Sequence, residues 1–105
     1  MPRKMKPTLK SYTDDLLERL RDPEYAAAYL NAVLTDPDQK NVQKRFLIAL
    51  KDVAKAHGMT ATADETTLNR QHLYKILSKD GNPEFQTLQT ILQALGLRLS
   101  IGVNH

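Results

Sequence analysis

Asn69-Arg70-Gln71-His72-Leu73-Tyr74-Lys75-Ile76-Leu77-Ser78-Lys79 opens on a residue that favours helix caps and continues as a short amphipathic segment. The pattern predicts a helix from Arg70 to Lys79 with Leu73, Ile76 and Leu77 turned inward. Arg70, Gln71, Tyr74, Lys75 and Ser78 then share the outer side. Immediately upstream, Thr60 is suited to cap another short helix, and Leu68 supplies an apolar anchor in the turn between the two. Further upstream, Val42, Phe46, Leu50, Val53 and His57 recur at helical spacing, with Leu47 and Ala54 widening the stripe and Gly58 placed to end the helix. Downstream, Gly81-Asn82-Pro83 reads as a turn. A last helix opens at Pro83 or Glu84, carries Leu88, Ile91, Leu92 and Leu95 on one face, and stops at Gly96.

A longer helix, two short helices joined by a tight turn, and a further helix form the order of a helix-turn-helix unit. That unit must bury one side of its second helix while presenting the other to base edges. Arg pairs bidentately with guanine and Gln with adenine, so Arg70, Gln71 and Tyr74 are the expected base readers. Lys75, Lys79, Asn69 and Thr60 suit phosphate contacts, with backbone amides at Thr60 and Asn69 placed to help, and Ser78 is expected among the DNA-binding residues. The same pattern also describes a plain solvated helix face.

The N-terminal part has a different character. Residues 1–10 hold four bases, two prolines and no acid, and are expected to be a flexible basic tail. Residues 11–38 are expected to form acidic helices: one capped by Ser11 or Thr13 and carrying Leu16, Leu17 and Leu20, the next capped by Asp22 with Pro23 at its first position. In the second of these, Ala26, Leu30, Val33 and Leu34 share a face, and Asp36-Pro37-Asp38 ends it. Residues 39–105 are expected to form the helix-turn-helix, DNA-binding unit with the C-terminal strand. The net charge of +3 over 105 residues thus divides into +4, −5 and +4 along the chain. After Gly96 the period changes to two, with Leu97, Leu99, Ile101 and Val103 alternating with polar residues or glycine. This predicts a half-buried strand. No second strand is readable, so its partner is expected to be the same strand of another copy. The fold class is therefore all-α, a helix-turn-helix bundle with one C-terminal dimerisation strand.

Other functions are disfavoured by what is missing. The chain has no cysteine, which removes thiolate metal sites, disulfides and cysteine nucleophiles. Four scattered glycines form no phosphate-binding loop. His57, His72 and His105 lack ligand spacing, and Asp14, Asp15 and Glu18 fit a helix start better than a carboxylate pair. No catalytic residue, metal or cofactor is expected, and the protein reads as a non-enzyme. Without an apolar span or signal peptide it is expected in the cytoplasm.

The stretch Asp52-Val53-Ala54-Lys55-Ala56-His57-Gly58-Met59-Thr60 resembles the addiction-module antidote proteins, HigA-like antitoxins with a lambda-repressor-like helix-turn-helix. The resemblance continues through Ala63, Leu68-Asn69-Arg70, Leu73 to Ser78, Gly81-Asn82-Pro83, Thr87-Leu88, Ile91-Leu92 and Ala94 to Leu99. Pro23-Glu24 and Ala28-Tyr29-Leu30-Asn31-Ala32 resemble the family's N-terminal segment. It implies a bacterial antitoxin that neutralises a cognate RelE-like toxin and represses its own operon by binding double-stranded operator DNA as a homodimer. Three positions depart from the pattern: Ala61 stands where similar proteins usually carry Gln, Thr62 where they carry an apolar residue, and Thr67 where they carry Gly. Thr67 would cost about 1 kcal/mol if its position needed a left-handed backbone. A stand-alone, phage-type regulator without a toxin is the alternative reading. A protein-interaction module that has lost DNA binding is the third.

Overall fold

A computed structural model describes residues 5–105, with side chains from Tyr12 onward. Its described residues hold six helices: α1 (Met5–Arg19), α2 (Pro23–Leu34), α3 (Val42–His57), α4 (Met59–Asp64), α5 (Arg70–Ile76) and α6 (Phe85–Ala94).

Local chemistry sets most of these boundaries. The Asp22 carboxylate accepts the Glu24 N–H at 3.0 Å, and Pro23, which has no N–H to leave unpaired, takes the first helical position of α2. Gly58, at φ 112°, ends α3 and starts α4 without an intervening loop. Leu97 N–H donates to Leu92 O at 2.8 Å and Gly96 N–H to Gln93 O at 3.0 Å, closing α6 around a glycine with φ 78°. The turn after α5 is tight enough that a Cβ on Gly81 would lie 1.9 Å from the Ile76 carbonyl oxygen.

The core gathers around α3, whose Phe46, Leu47, Ala49, Leu50, Val53 and Ala54 are all buried. Leu20 from the end of α1, Ala26 and Leu30 from α2, Met59 and Ala63 from α4, Leu73 and Leu77 at α5, and Ile91, Leu92 and Leu95 from α6 complete it. The loop between α2 and α3 is held by Arg45, which pairs with Asp36 at 3.0 Å and donates to the carbonyls of Asp38 and Lys40. With the Asp38 N–H and the Arg45 guanidinium both donating to it, the Asp36 carboxyl lies below its usual pKa. Gln43 at the start of α3 reaches Gly81 O and Asn82 Oδ1, each at 3.3 Å, and so ties the α5–α6 turn to the central helix.

Several expectations are corrected. Helix α1 starts at Met5, inside the stretch expected as a tail, while residues 1–4 lie outside the described residues. Pro7 is no obstacle, because its position in the first turn has no intrahelical use for an N–H. Helix α5 ends at Ile76, so Ser78 and Lys79 sit in the following turn. Thr60 does not cap α4; it is the second helical residue, because Gly58 already makes the turn. No strand occurs among the described residues, and Leu97–Val103 is irregular. A strand exists through its ladder, and none of the described residues pairs with this segment. Leu97 and Leu99 are half-buried against the core, whereas Ile101 and Val103 are 99% and 81% exposed.

Candidate nucleic-acid interface

Helices α4 and α5 pack against each other, joined by residues 65–69. Thr66 builds the turn. Its N–H and hydroxyl both donate to Ala63 O, at 3.0 and 2.9 Å, and its Oγ1 accepts the Leu68 N–H at 3.0 Å. Among the described non-glycine residues only Asn41 has a positive φ, so Thr67 carries no left-handed strain. His57 Nε2 lies 3.4 Å from Glu65 Oε1 and links the end of α3 to this turn.

Leu73 and Leu77 are fully buried and anchor α5 from below, with Ile76 and Leu68 packed at the edge. Asn69 caps the helix, its Oδ1 accepting the His72 N–H at 2.7 Å. Its Nδ2 donor has no partner among the described residues. Arg70, Gln71, His72 and Lys75 are exposed, and Tyr74 is half-buried. The Arg70 guanidinium carbon lies 5.6 Å from the Tyr74 ring centroid, a cation–π spacing that restrains a long side chain on the outer face.

The structure thus brings Asn69, Arg70, Gln71, Tyr74 and Lys75 together on one short helix. The other three expected contacts stand apart. Lys79 is exposed beyond the end of α5, and the Ser78 hydroxyl donates to Lys75 O at 2.9 Å. Thr60 is exposed on α4. Thr62, one of the departing positions, is fully buried, and its hydroxyl donates to Gly58 O at 2.8 Å. That back-bond lets a hydroxyl occupy an apolar site.

Residues 39–105 carry a net +4, with Arg70, Lys75 and Lys79 among their nine bases, a balance that permits an anionic partner without requiring one. Among the described residues there is no cluster of His, Asp and Glu able to hold a metal ion, and no helix long and apolar enough to cross a membrane.

A second exposed feature is not found by following the 26-30-33-34 face of α2. Tyr25, Tyr29, Ala32 and Val33 form another face of the same helix at the spacing i, i+4, i+7, i+8. The Tyr29 hydroxyl donates to Asp52 Oδ2 of α3 at 3.0 Å. Burial and this bond to a carboxylate push the Tyr29 phenol up to about 12. The signal for the second face was present in the sequence as aromatic residues at helical spacing.

Residues 10–103 match a family model described as "Probable addiction module antidote protein". An uncharacterized protein of Haemophilus influenzae is 36% identical over 87 residues, spanning 83% of this chain and 86% of that protein. No solved structure matches the chain.

Proposed function

Since the chain belongs to the family of probable addiction module antidote proteins, we propose that it is an antitoxin that neutralises a RelE-like toxin by direct contact and binds operator DNA to repress its own operon. In this reading α4 and α5 work as a lambda-repressor-like helix-turn-helix of HigA type, and the protein is a cytoplasmic binding protein without catalytic groups.

The observation that carries the DNA-binding part is the outer face of α5. A helix of seven residues is too short to hold itself in shape. The Asn69 cap and the buried Leu73 and Leu77 fix it instead, so its polar side chains are presented at little entropic cost. Arg70, braced on Tyr74, and Gln71 lie in the first turn, the part of a recognition helix that reaches base edges. Lys75, Lys79, Thr60 and Asn69 hold the flanking phosphates, which sets register without reading sequence.

The operator is expected to be two-fold symmetric, bound by a homodimer that pairs Leu97–Val103 of two copies. The exposed Ile101 and Val103 support that role. Two experiments test the reading together. Co-expression with the adjoining gene should rescue growth and co-purify both proteins. The purified chain should shift its own promoter DNA more tightly than unrelated DNA at equal salt. Absence of both effects would overturn it.

A further inference from the structure

Helix α5 lies between two turns, and a side chain from each end of α3 reaches one of them. At the C-terminal end of α3, His57 Nε2 lies 3.4 Å from Glu65 Oε1, in the turn that leads into α5. At the N-terminal end, Gln43 Nε2 donates to Gly81 O and Asn82 Oδ1, each at 3.3 Å, in the turn that leaves α5. The two flanks are not equally secured. Before α5, α4 packs directly on it, and Thr66 braces the intervening turn through its bonds to Ala63 O and Leu68 N–H. After α5, Leu77 is buried, but the chain then passes through Lys79, Asp80 and Asn82, all exposed. This second turn is stiff within itself. Gly81 N–H donates to Ser78 O at 2.9 Å, and a Cβ on Gly81 would lie 1.9 Å from Ile76 O. Holding such a turn at Gly81 and Asn82 therefore holds the end of α5. In a helix of seven residues, about two turns, fixing the end also fixes the direction in which Arg70 and Gln71 are presented.

We propose that Gln43 is a positioning residue for α5, setting the angle of the reading helix from the central helix without touching DNA itself, a role that rests on the DNA-binding reading above. Specific docking requires the side chains of α5 to meet base edges within hydrogen-bond geometry, a demand that docking on phosphates alone does not make. A looser α5 is therefore felt in specific binding and hardly at all in non-specific binding. The loss is bounded by what the link contributes to holding the turn, about one net hydrogen bond, or about three- to tenfold in affinity. A side chain that gripped a phosphate would instead lower both kinds of binding together.

Gln43→Ala tests this, titrated at a series of salt concentrations with a duplex from the protein's own promoter and an unrelated duplex of equal length. Promoter affinity should fall about three- to tenfold, and affinity for the unrelated duplex should stay within about twofold. The slope of log affinity against log salt should not change, because no charge is removed. Gln43 is exposed at the second position of α3, where alanine is a good helix former, so the helical circular dichroism spectrum and a cooperative melt should persist. Asn82→Ala removes one of the two acceptors, and its effect on the preference for promoter over unrelated DNA should largely vanish in the Gln43→Ala background. An unchanged preference in Gln43→Ala, whether affinity is untouched or falls equally on both duplexes, would overturn the positioning role and leave DNA reading by α5 intact. Full additivity of the two substitutions would overturn it too. A wild type with no preference for its own promoter would remove the DNA-reading role itself, and the positioning role with it.

Discussion

Replacing Thr62 by Val tests how α4 tolerates a hydroxyl in its buried face. The Thr62 side chain is fully buried, and its hydroxyl donates to Gly58 O at 2.8 Å. That carbonyl also accepts the Thr62 N–H at 2.8 Å. Valine therefore removes one hydrogen bond, worth about 0.5–1.5 kcal/mol net, without leaving the acceptor orphaned. Against this loss stands one gain: the methyl that replaces the bonded hydroxyl contributes about 0.8 kcal/mol. Helix propensity hardly differs between two β-branched residues. The balance predicts that Thr62→Val is close to neutral, within about 1 kcal/mol of wild type. The melting temperature would shift by less than about 4–8 °C for a domain of this size. Thr62→Ser keeps the hydrogen bond but deletes a buried methyl, and should cost about 1 kcal/mol. Urea and thermal unfolding followed by circular dichroism at 222 nm, at one fixed protein concentration, measures both. Destabilisation of Thr62→Val by more than about 1.5 kcal/mol, or a serine variant as stable as wild type, would refute the reasoning, because either would make the hydroxyl rather than the methyl the stabilising atom.

Asn69→Ala removes the cap of α5 and should cost about 1 kcal/mol in urea unfolding, with weaker promoter binding as the reading helix frays. Tyr29 holds its proton more tightly folded than unfolded, so its contribution to stability is present below pH 10 and falls away as pH rises from 10 towards 12. Tyr29→Phe should show a shallower loss of stability over that range in alkaline unfolding curves, whereas identical curves would contradict a phenol held protonated by burial and by Asp52. Ala61→Gln restores, on an exposed position of α4, the polar side chain that similar proteins usually carry, and should tighten promoter binding about fivefold, or about 1 kcal/mol, in a mobility-shift titration.

The helices were largely readable because each combines a periodic apolar face with a chemical stop. Asp22-Pro23, Asn69, Gly58 and Gly96 mark ends in sequence, and the structure uses all four as caps or turns. Ends set by tertiary contacts were not readable. Helix α5 closes at Ile76 because the chain must turn back at once, with Gly81 against the Ile76 carbonyl, although Leu77 to Lys79 would extend a helix on pattern alone. Basic charge and two prolines suggested a tail, but the N-terminal residues from Met5 are helical, and Pro7 falls in a first turn where proline costs little. The alternation from Leu97 to Val103 described side-chain burial correctly for Leu97 and Leu99, yet period alone cannot supply the second strand that a ladder needs. On the candidate DNA face, residue type and spacing located Asn69, Arg70, Gln71, Tyr74 and Lys75 together. The Arg70–Tyr74 bracing and the Ser78 bond to Lys75 O depend on rotamers, which no spacing encodes.

The most direct measurement is promoter-DNA affinity at several salt concentrations for wild type, Arg70→Ala and Lys79→Ala. Arg70→Ala should cost about 1–3 kcal/mol and relax the preference at one base pair of each half-site. Lys79→Ala should weaken binding to all sequences alike and reduce the slope of log affinity against log salt by about 1. Affinity, preference and salt slope all unchanged in both variants would contradict a DNA-reading role for α5.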